Sequence, residues 1–230
     1  MHAAVKLGLD KTEGLTYPHF EDEEIDYWLN EAVDRFIKTR YSGTNVLRTG
    51  FEQSQKRTDD LYTLVDEVRI VPVPGAGVDD KPNSFLAAIA LYPTDFMLFL
   101  NDEVSITYTH QVTGATVTGQ RTGVTECTSD SYYTKVSDPY GEHRLHMSTA
   151  RPLRLFSSKG VELITDGNYS IPHYYMRYIR IPATIELGVE DCDLPDHTHR
   201  EIVNLTVKIL IENIESPRYQ TNVVEYSQNE

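Results

Sequence analysis

An α+β fold, in which N- and C-terminal helices form a helical frame around a β-rich insertion of sandwich or barrel type, is predicted by three observations. Apolar residues recur with helical spacing from Glu21 to Tyr41, and they crowd the segment from Pro195 to Glu215. Between these stretches the pattern changes to short alternating runs broken by Gly and Pro. With helices at both ends and strands in the middle, one domain carrying a large insertion fits 230 residues better than a second independent fold. The expected divisions are an N-terminal arm and helices over 1–66, the β-rich insertion over 67–190, a C-terminal helix over 191–216 that packs on the N-terminal helices, and a polar tail over 217–230. Hydrophobic residues make up 40% of the chain, below the usual range of about 45–50%. The core should therefore be thin.

In the first helix Ile25, Trp28, Leu29, Ala32, Val33, Phe36 and Ile37 fall at i, i+3, i+4, i+7, i+8, i+11 and i+12 and make one apolar stripe. Glu21 to Glu24 crowd its first turn and Lys38 and Arg40 its last, which complements the helix dipole, and Ser42-Gly43 supplies the stop. A second helix is expected from Phe51 to about Val65. Its face of Phe51, Gln55, Thr58, Leu61, Tyr62 and Val65 is half apolar, and its charge order is unfavourable, so it must rely on packing. Strands follow at Val68–Val73, at Phe85–Tyr92 (a run that could be helical), and at Phe96–Leu100 continuing into Val104, Ile106 and Tyr108. Gln111 to Glu126, rich in Thr and Gly, reads as an exposed hairpin. Leu153–Phe156 and Val161–Ile164 around Ser157-Ser158-Lys159-Gly160 form a second one. Tyr174 to Leu187 alternates as a strand that Pro182 ends or confines to an edge. The last helix starts near Pro195 and carries Ile202, Val203, Leu205, Val207, Ile209, Leu210, Ile211 and Ile214. These cover more than one stripe, so it should be buried on most sides: one face on the Trp28 and Phe36 side of the first helix, the other on the β-insertion or an adjacent subunit.

Charge and motifs exclude several function classes. With 21 Lys and Arg against 35 Asp and Glu the net charge is −14, which opposes any broad phosphate-gripping face. Cys127 and Cys192 are far apart and outside any CxxC pattern, so no disulfide scaffold or zinc ribbon is indicated, and a reducing compartment fits best. No signal-peptide run and no stretch near the ~18 apolar residues of a membrane span is present, which predicts a soluble chain not exported by a classical route and no membrane partner.

The densest polar cluster, Glu190 to Glu201, holds Cys192, His197 and His199. On a helix those histidines stand about 200° apart at ~100° per residue and cannot share an ion. The expected role is an acidic helix start in which Asp193 or Asp196 caps backbone amides. Neither GxSxG, GxxxxGK[ST] nor GxGxxG occurs; Gly75-Ala76-Gly77 reads as a loop, and Glu142-His143-Arg144 with His146 as surface groups. No catalytic, cofactor-binding or metal-binding residue is assigned. The 15 tyrosines suit subunit interfaces more than a ligand platform. A carbohydrate- or ligand-binding β-module using Tyr132-Tyr133 and Tyr174-Tyr175 is the alternative from another class. A metal-dependent hydrolase on Asp191, Cys192 and the histidines is the weakest reading.

Three ordered blocks carry a family resemblance. Tyr17-Pro18-His19-Phe20 with Glu24 to Ala32 and Arg35-Phe36 resembles the front of the ring proteins that form the head-tail connector and tail barrel of crAss-like tailed bacteriophages. Tyr178-Ile179-Arg180-Ile181-Pro182 resembles their late strand, and Asp193 to Val203 with Glu212 to Gln220 their C-terminal helix and its exit. Such resemblance implies a structural, non-enzymatic virion subunit made in the host cytoplasm. It implies a homo-oligomeric ring, commonly twelvefold, that neighbours other ring proteins and the portal protein and passes DNA through its lumen without specific binding. A ring needs two different complementary patches. The over-apolar last helix and the tyrosine-rich sheet can supply them, which makes Tyr175, Arg177, Arg180, Ile202, Leu205, Ile209 and Ile214 the candidate subunit interface.

Overall fold

The computed structural model describes residues 1–13, 20–42, 51–76 and 81–213. In chain order the elements are α1 (His2–Glu13), α2 (Asp22–Tyr41), α3 (Gln55–Leu61), β1 (Val65–Ile70), β2 (Val73–Pro74), β3 (Ser84–Ala88), β4 (Phe96–Thr109), β5 (Thr116–Gly123) and β6 (Thr125–Glu126). There follow α4 (Tyr132–Ser137), β7 (Leu153–Ser157), β8 (Gly160–Ile164), β9 (Tyr169–Arg180) and α5 (Asp196–Asn213). The α+β class with a strand-rich insertion between helices is the observed one. The chain divides into a helical unit, Met1–Val65 with Ile181–Glu230, and a β unit, Asp66–Arg180.

In the helical unit, α2 buries Ile25, Leu29, Ala32, Val33, Phe36 and Ile37, while Trp28 sits half-buried at the edge of the stripe. Its start is fixed by the Glu24 carboxylate, which accepts the Glu21 N–H at 3.1 Å. Helix α5 packs on α2 with one face and on α1 with another. The partner of the second face is thus a helix that periodicity did not reveal, because among its first nine residues only Val5 is buried and Leu7 is exposed. Close approach carries that contact: a Cβ on Gly8 would stand 2.8 Å from a Val207 methyl. Helix α1 is tied to α2 by His2 on Asp26 and by Lys6 Nζ on Asp22 at 2.6 Å. Ile214 and the expected tail lie outside the described residues.

The helix expected from Phe51 to Val65 is instead a 3-10 turn (Phe51–Gln53), the short α3 and a second 3-10 turn (Tyr62–Leu64). Phe51 and Leu61 of the expected face are buried, joined by Leu64, Arg57 and Asp60, while Gln55, Thr58 and Tyr62 are exposed. Charge adds to this apolar packing. Arg40 Nε lies 2.9 Å from the buried Asp60 carboxylate and the same guanidinium reaches Glu201 on α5, which Lys56 meets at 2.9 Å. Arg57 donates to the carbonyls of Thr39 and Arg40 at 3.1 and 3.3 Å, satisfying the C-terminal end of α2.

The β unit holds two sheets, a curled four-stranded one of order β1-β9-β4-β5 and a five-stranded one of order β2-β3-β8-β7-β6. One cluster fills the space between them: Val104, Ile106, Tyr108, Tyr174 and Met176 from the first sheet, Ala87, Val161 and Leu163 from the second. The single strand expected over Val68–Val73 is two strands in different sheets, separated at Val71-Pro72, where the proline lacks a donor to continue the ladder. Phe85–Tyr92 is strand through Ala88, then a 3-10 turn over Ile89–Leu91. Strand β9 runs from Tyr169 to Arg180 between β1 and β4, so it is central, not an edge. Pro172 is tolerated there because it sits in a bulge: Ile171 and Pro172 lie opposite Ile106 alone. The Gln111–Glu126 stretch is the second arm of a hairpin with β4; Val117 and Val124 pack partly on the core, while Val112 is exposed.

The hairpin of β7 and β8 turns at Gly160, which has φ +141 and pairs with Ala88 of β3. A Cβ there would stand 2.1 Å from the Ala87 carbonyl oxygen. Backbone cannot yield as a side chain can, so Gly160→Ala is expected to cost more than about 3 kcal/mol. Thermal denaturation of that variant against wild type measures it.

Candidate interaction surfaces

Two buried carboxylates of the β unit are each paired with a cation. Asp102, on β4, is buried; its carboxylate accepts from Arg154 of β7 at 2.9 Å and from the Tyr174 hydroxyl of β9 at 3.2 Å. The Arg154 guanidinium lies 4.7 Å from the Phe99 ring and 5.0 Å from that of Phe156, which supplies cation–π attraction. Burial holds the Asp102 carboxyl above its ordinary range, against the opposing pull of Arg154. Burial, aided by Asp102, also pushes the Tyr174 hydroxyl far up. Glu162 on β8 is closed off from solvent with Lys81 Nζ 3.5 Å away. Neither pair is legible in sequence, since partners 52 positions apart leave no periodic trace.

The opposite face of the four-stranded sheet is polar and pre-ordered. The Arg121 guanidinium of β5 stacks 3.7 Å above the Tyr175 ring and reaches Glu67 of β1 at 3.0 Å and Glu103 of β4 at 3.3 Å. Of the residues expected at a subunit interface, Tyr175 is half-buried beneath Arg121, Arg177 is exposed and Arg180 is half-buried. Ile202 and Ile209 are buried inside the helical unit, whereas Leu205 is half-buried in a groove of about 370 Å³ beside Phe36, Lys38 and Lys208.

The polar cluster before α5 is dispersed. Asp193 does not cap the helix; its Oδ2 accepts the Ala183 N–H at 2.8 Å. Asp196 is exposed in the first turn, 3.8 Å from His199 Nδ1, and the Thr198 N–H bonds to the Pro195 carbonyl at 2.9 Å instead. His197 turns to Asp60 at 3.0 Å and His199 to the Leu194 carbonyl at 3.0 Å. Among the described residues no three His, Cys, Asp or Glu side chains are grouped to hold a metal. Cys192 is a free, half-buried thiol whose pKa burial raises. His143, expected at the surface, is buried: its ring sits where a Cβ on Gly141 would lie 2.7 Å from Nδ1, its carbonyl accepts from the Tyr169 hydroxyl at 2.9 Å, and burial with Arg144 lowers its pKa below 6.5. Neither tyrosine pair presents two exposed rings side by side: adjacent residues on β9 face opposite ways, and on α4 they stand about 100° apart. Tyr174 is wholly buried beside half-buried Tyr175, and Tyr132 is 6% exposed beside Tyr133 at 78%.

Sequence reasoning missed two residues that organise the chain, Asp26 and Asn30, one turn apart on α2. The Asn30 amide donates to the Ile185 carbonyl at 3.0 Å and accepts its N–H at 2.8 Å, and Asp26 accepts the Leu187 N–H at 3.2 Å. They dock the stretch that follows β9, which explains why polar groups recur on the buried side of an otherwise apolar helix. The family comparison gives the class of protein: a model described as phage tail ring protein 3/4 matches residues 8–222. The chain belongs to that family of crAss-like phage ring proteins. No curated protein matches it. Among the described residues no helix is long and apolar enough to cross a membrane.

Proposed function

We propose that the chain is a virion subunit with no chemistry of its own, forming one ring of the head-tail connector or tail barrel and part of the conduit through which DNA passes. The observation that carries this reading is the match to the ring family across 215 of 230 positions, taking in both units (residues 8–222). The charge supports it: a net −14 repeated around a ring repels phosphate, so a genome slides instead of sticking. Twelve copies per ring, stacked against other ring proteins and near the portal, complete the proposal. The purified full-length chain is expected to form closed rings in electron micrographs and to leave duplex DNA unretarded at about 150 mM salt, where weak phosphate contacts are screened. Tight, salt-sensitive DNA binding by the subunit, or a chain that is only ever monomeric, contradicts it.

A further inference from the structure

Each sheet has two outer strands, and among the described residues no strand lies beyond them. In the five-stranded sheet those strands are stubs: β2 has two residues, one of them Pro74, and β6 has two. In the four-stranded sheet they are long, with six residues in β1 and eight in β5. Natural proteins blunt a long edge with proline, lysine or a short strand, because unpaired N–H and C=O groups recruit another strand. Strand β5, Thr-Val-Thr-Gly-Gln-Arg-Thr-Gly, has neither proline nor lysine; its one irregularity is a bulge at Thr118-Gly119, opposite Thr107, with regular pairing to β4 on both sides of it. Its only charge, Arg121, is folded back across the sheet onto Tyr175, Glu67 and Glu103, away from the edge.

The ladder phase fixes which groups point outward. His110 donates its N–H to the Ala115 carbonyl at 2.9 Å, so these two form a hydrogen-bonded pair. The next pair, Thr109 with Thr116, is then non-bonded, and the Thr116 N–H and carbonyl face away from β4. Side chains along the edge are small and exposed: Thr116, Thr118, Gly119.

We propose that β5 is a subunit-joining edge, and that its occupant is the β1 edge of a second copy of this chain. Symmetry selects that partner. Pairing of β5 with β5 is isologous and ends at a dimer, whereas β5 with β1 uses opposite ends of one sheet, is heterologous, and repeats until a ring closes. Strand β1 is also the one other edge among the described strands long enough to form more than two or three ladder bonds. The four-stranded sheet thereby becomes one segment of a sheet that continues around the ring. This rests on the ring reading above and adds which backbone makes the joint.

The test compares amide hydrogen exchange in assembled rings of the full-length chain with that in monomers obtained from them by dilution. Outward-facing amides in 116–123 and in 65–70 are expected to exchange at least tenfold more slowly in the ring. A second arm uses Thr116→Pro, which removes an outward donor without touching the ladder to β4; it is expected to keep the wild-type melting temperature and to remain monomeric. Rings in which 116–123 exchanges as fast as in the monomer, or a folded Thr116→Pro chain that assembles like wild type, overturn the joint while leaving the ring itself standing. A wild-type chain that never assembles contradicts the ring instead. If Thr116→Pro fails to fold, the exchange comparison on wild type decides alone.

Discussion

Replacing Ile209 with aspartate is expected to leave no folded, soluble chain. Ile209 is buried in α5, where that helix packs between α1 and α2, and no described cation is paired to that position. A carboxylate placed there loses its hydration, and the apolar contacts of the isoleucine go with it. The combined cost is about 4 kcal/mol or more, set against the roughly 5–15 kcal/mol that holds a typical domain together. Thr118→Asp is the matched control: the same carboxylate on the exposed face of β5 meets water and should leave the stability within about 0.5 kcal/mol of wild type. Soluble yield and thermal denaturation of the two variants make the comparison. An Ile209→Asp chain that folds and assembles normally would contradict the burial of α5.

Truncating Arg154 to alanine should cost about 3–5 kcal/mol, because it strands the buried Asp102 carboxylate. The sign of its pH dependence follows from the direction of the Asp102 shift. In wild type, burial already holds that carboxyl above 3.8, and Arg154 is the main influence pulling it down. Without Arg154 the folded-state value rises further. A carboxyl whose folded pKa exceeds its unfolded one destabilises the fold once pH rises through that window, and ceases to do so below the unfolded value. The deficit of Arg154→Ala is therefore expected to be largest at neutral pH and to shrink as pH falls through the raised value toward 3.8. Replacing all three members of the network, Asp102→Leu with Arg154→Met and Tyr174→Phe, should recover most of the loss, since no buried polar group is then left without its partner. Denaturant melts of the two variants and of wild type across pH check both statements.

What could be read in the sequence was whatever repeats at short range. Helix α2 announces itself through an apolar stripe bracketed by acids and bases, and the β7–β8 hairpin through two apolar runs around Ser157-Ser158-Lys159-Gly160. The excess of apolar residues on α5 correctly demanded two packing partners, yet the second partner, α1, stayed hidden because Gly8 and Val5 make their contact by closeness and not by a stripe. Helix α3 misled for the opposite reason. Beside Leu61 it buries Arg57 and Asp60, whose partners are the Thr39 and Arg40 carbonyls, the Arg40 guanidinium and His197 on other helices, so a reading that equates burial with hydrophobicity captures only part of the face. The expected strand from Tyr174 omits the first five residues of β9, where Pro172 is accommodated by the bulge opposite Ile106, a feature set by the partner strand and not by local sequence. The apolar excess of α5 fits an internal partner as well as an external one, and Ile202 and Ile209 are buried within the helical unit. The joint proposed at the β5 edge is built of threonine and glycine and carries no apolar signal in the sequence.

A reconstruction by electron cryomicroscopy of the assembled full-length chain, or of the tail that contains it, tests the central claim most directly. The account predicts a closed ring of twelve copies with a negatively charged lumen wide enough for duplex DNA, α5 enclosed within each protomer, and density continuous from β5 of one copy to β1 of the next. Density that places this chain outside any ring, or a ring whose channel is lined by exposed lysine and arginine, would contradict it.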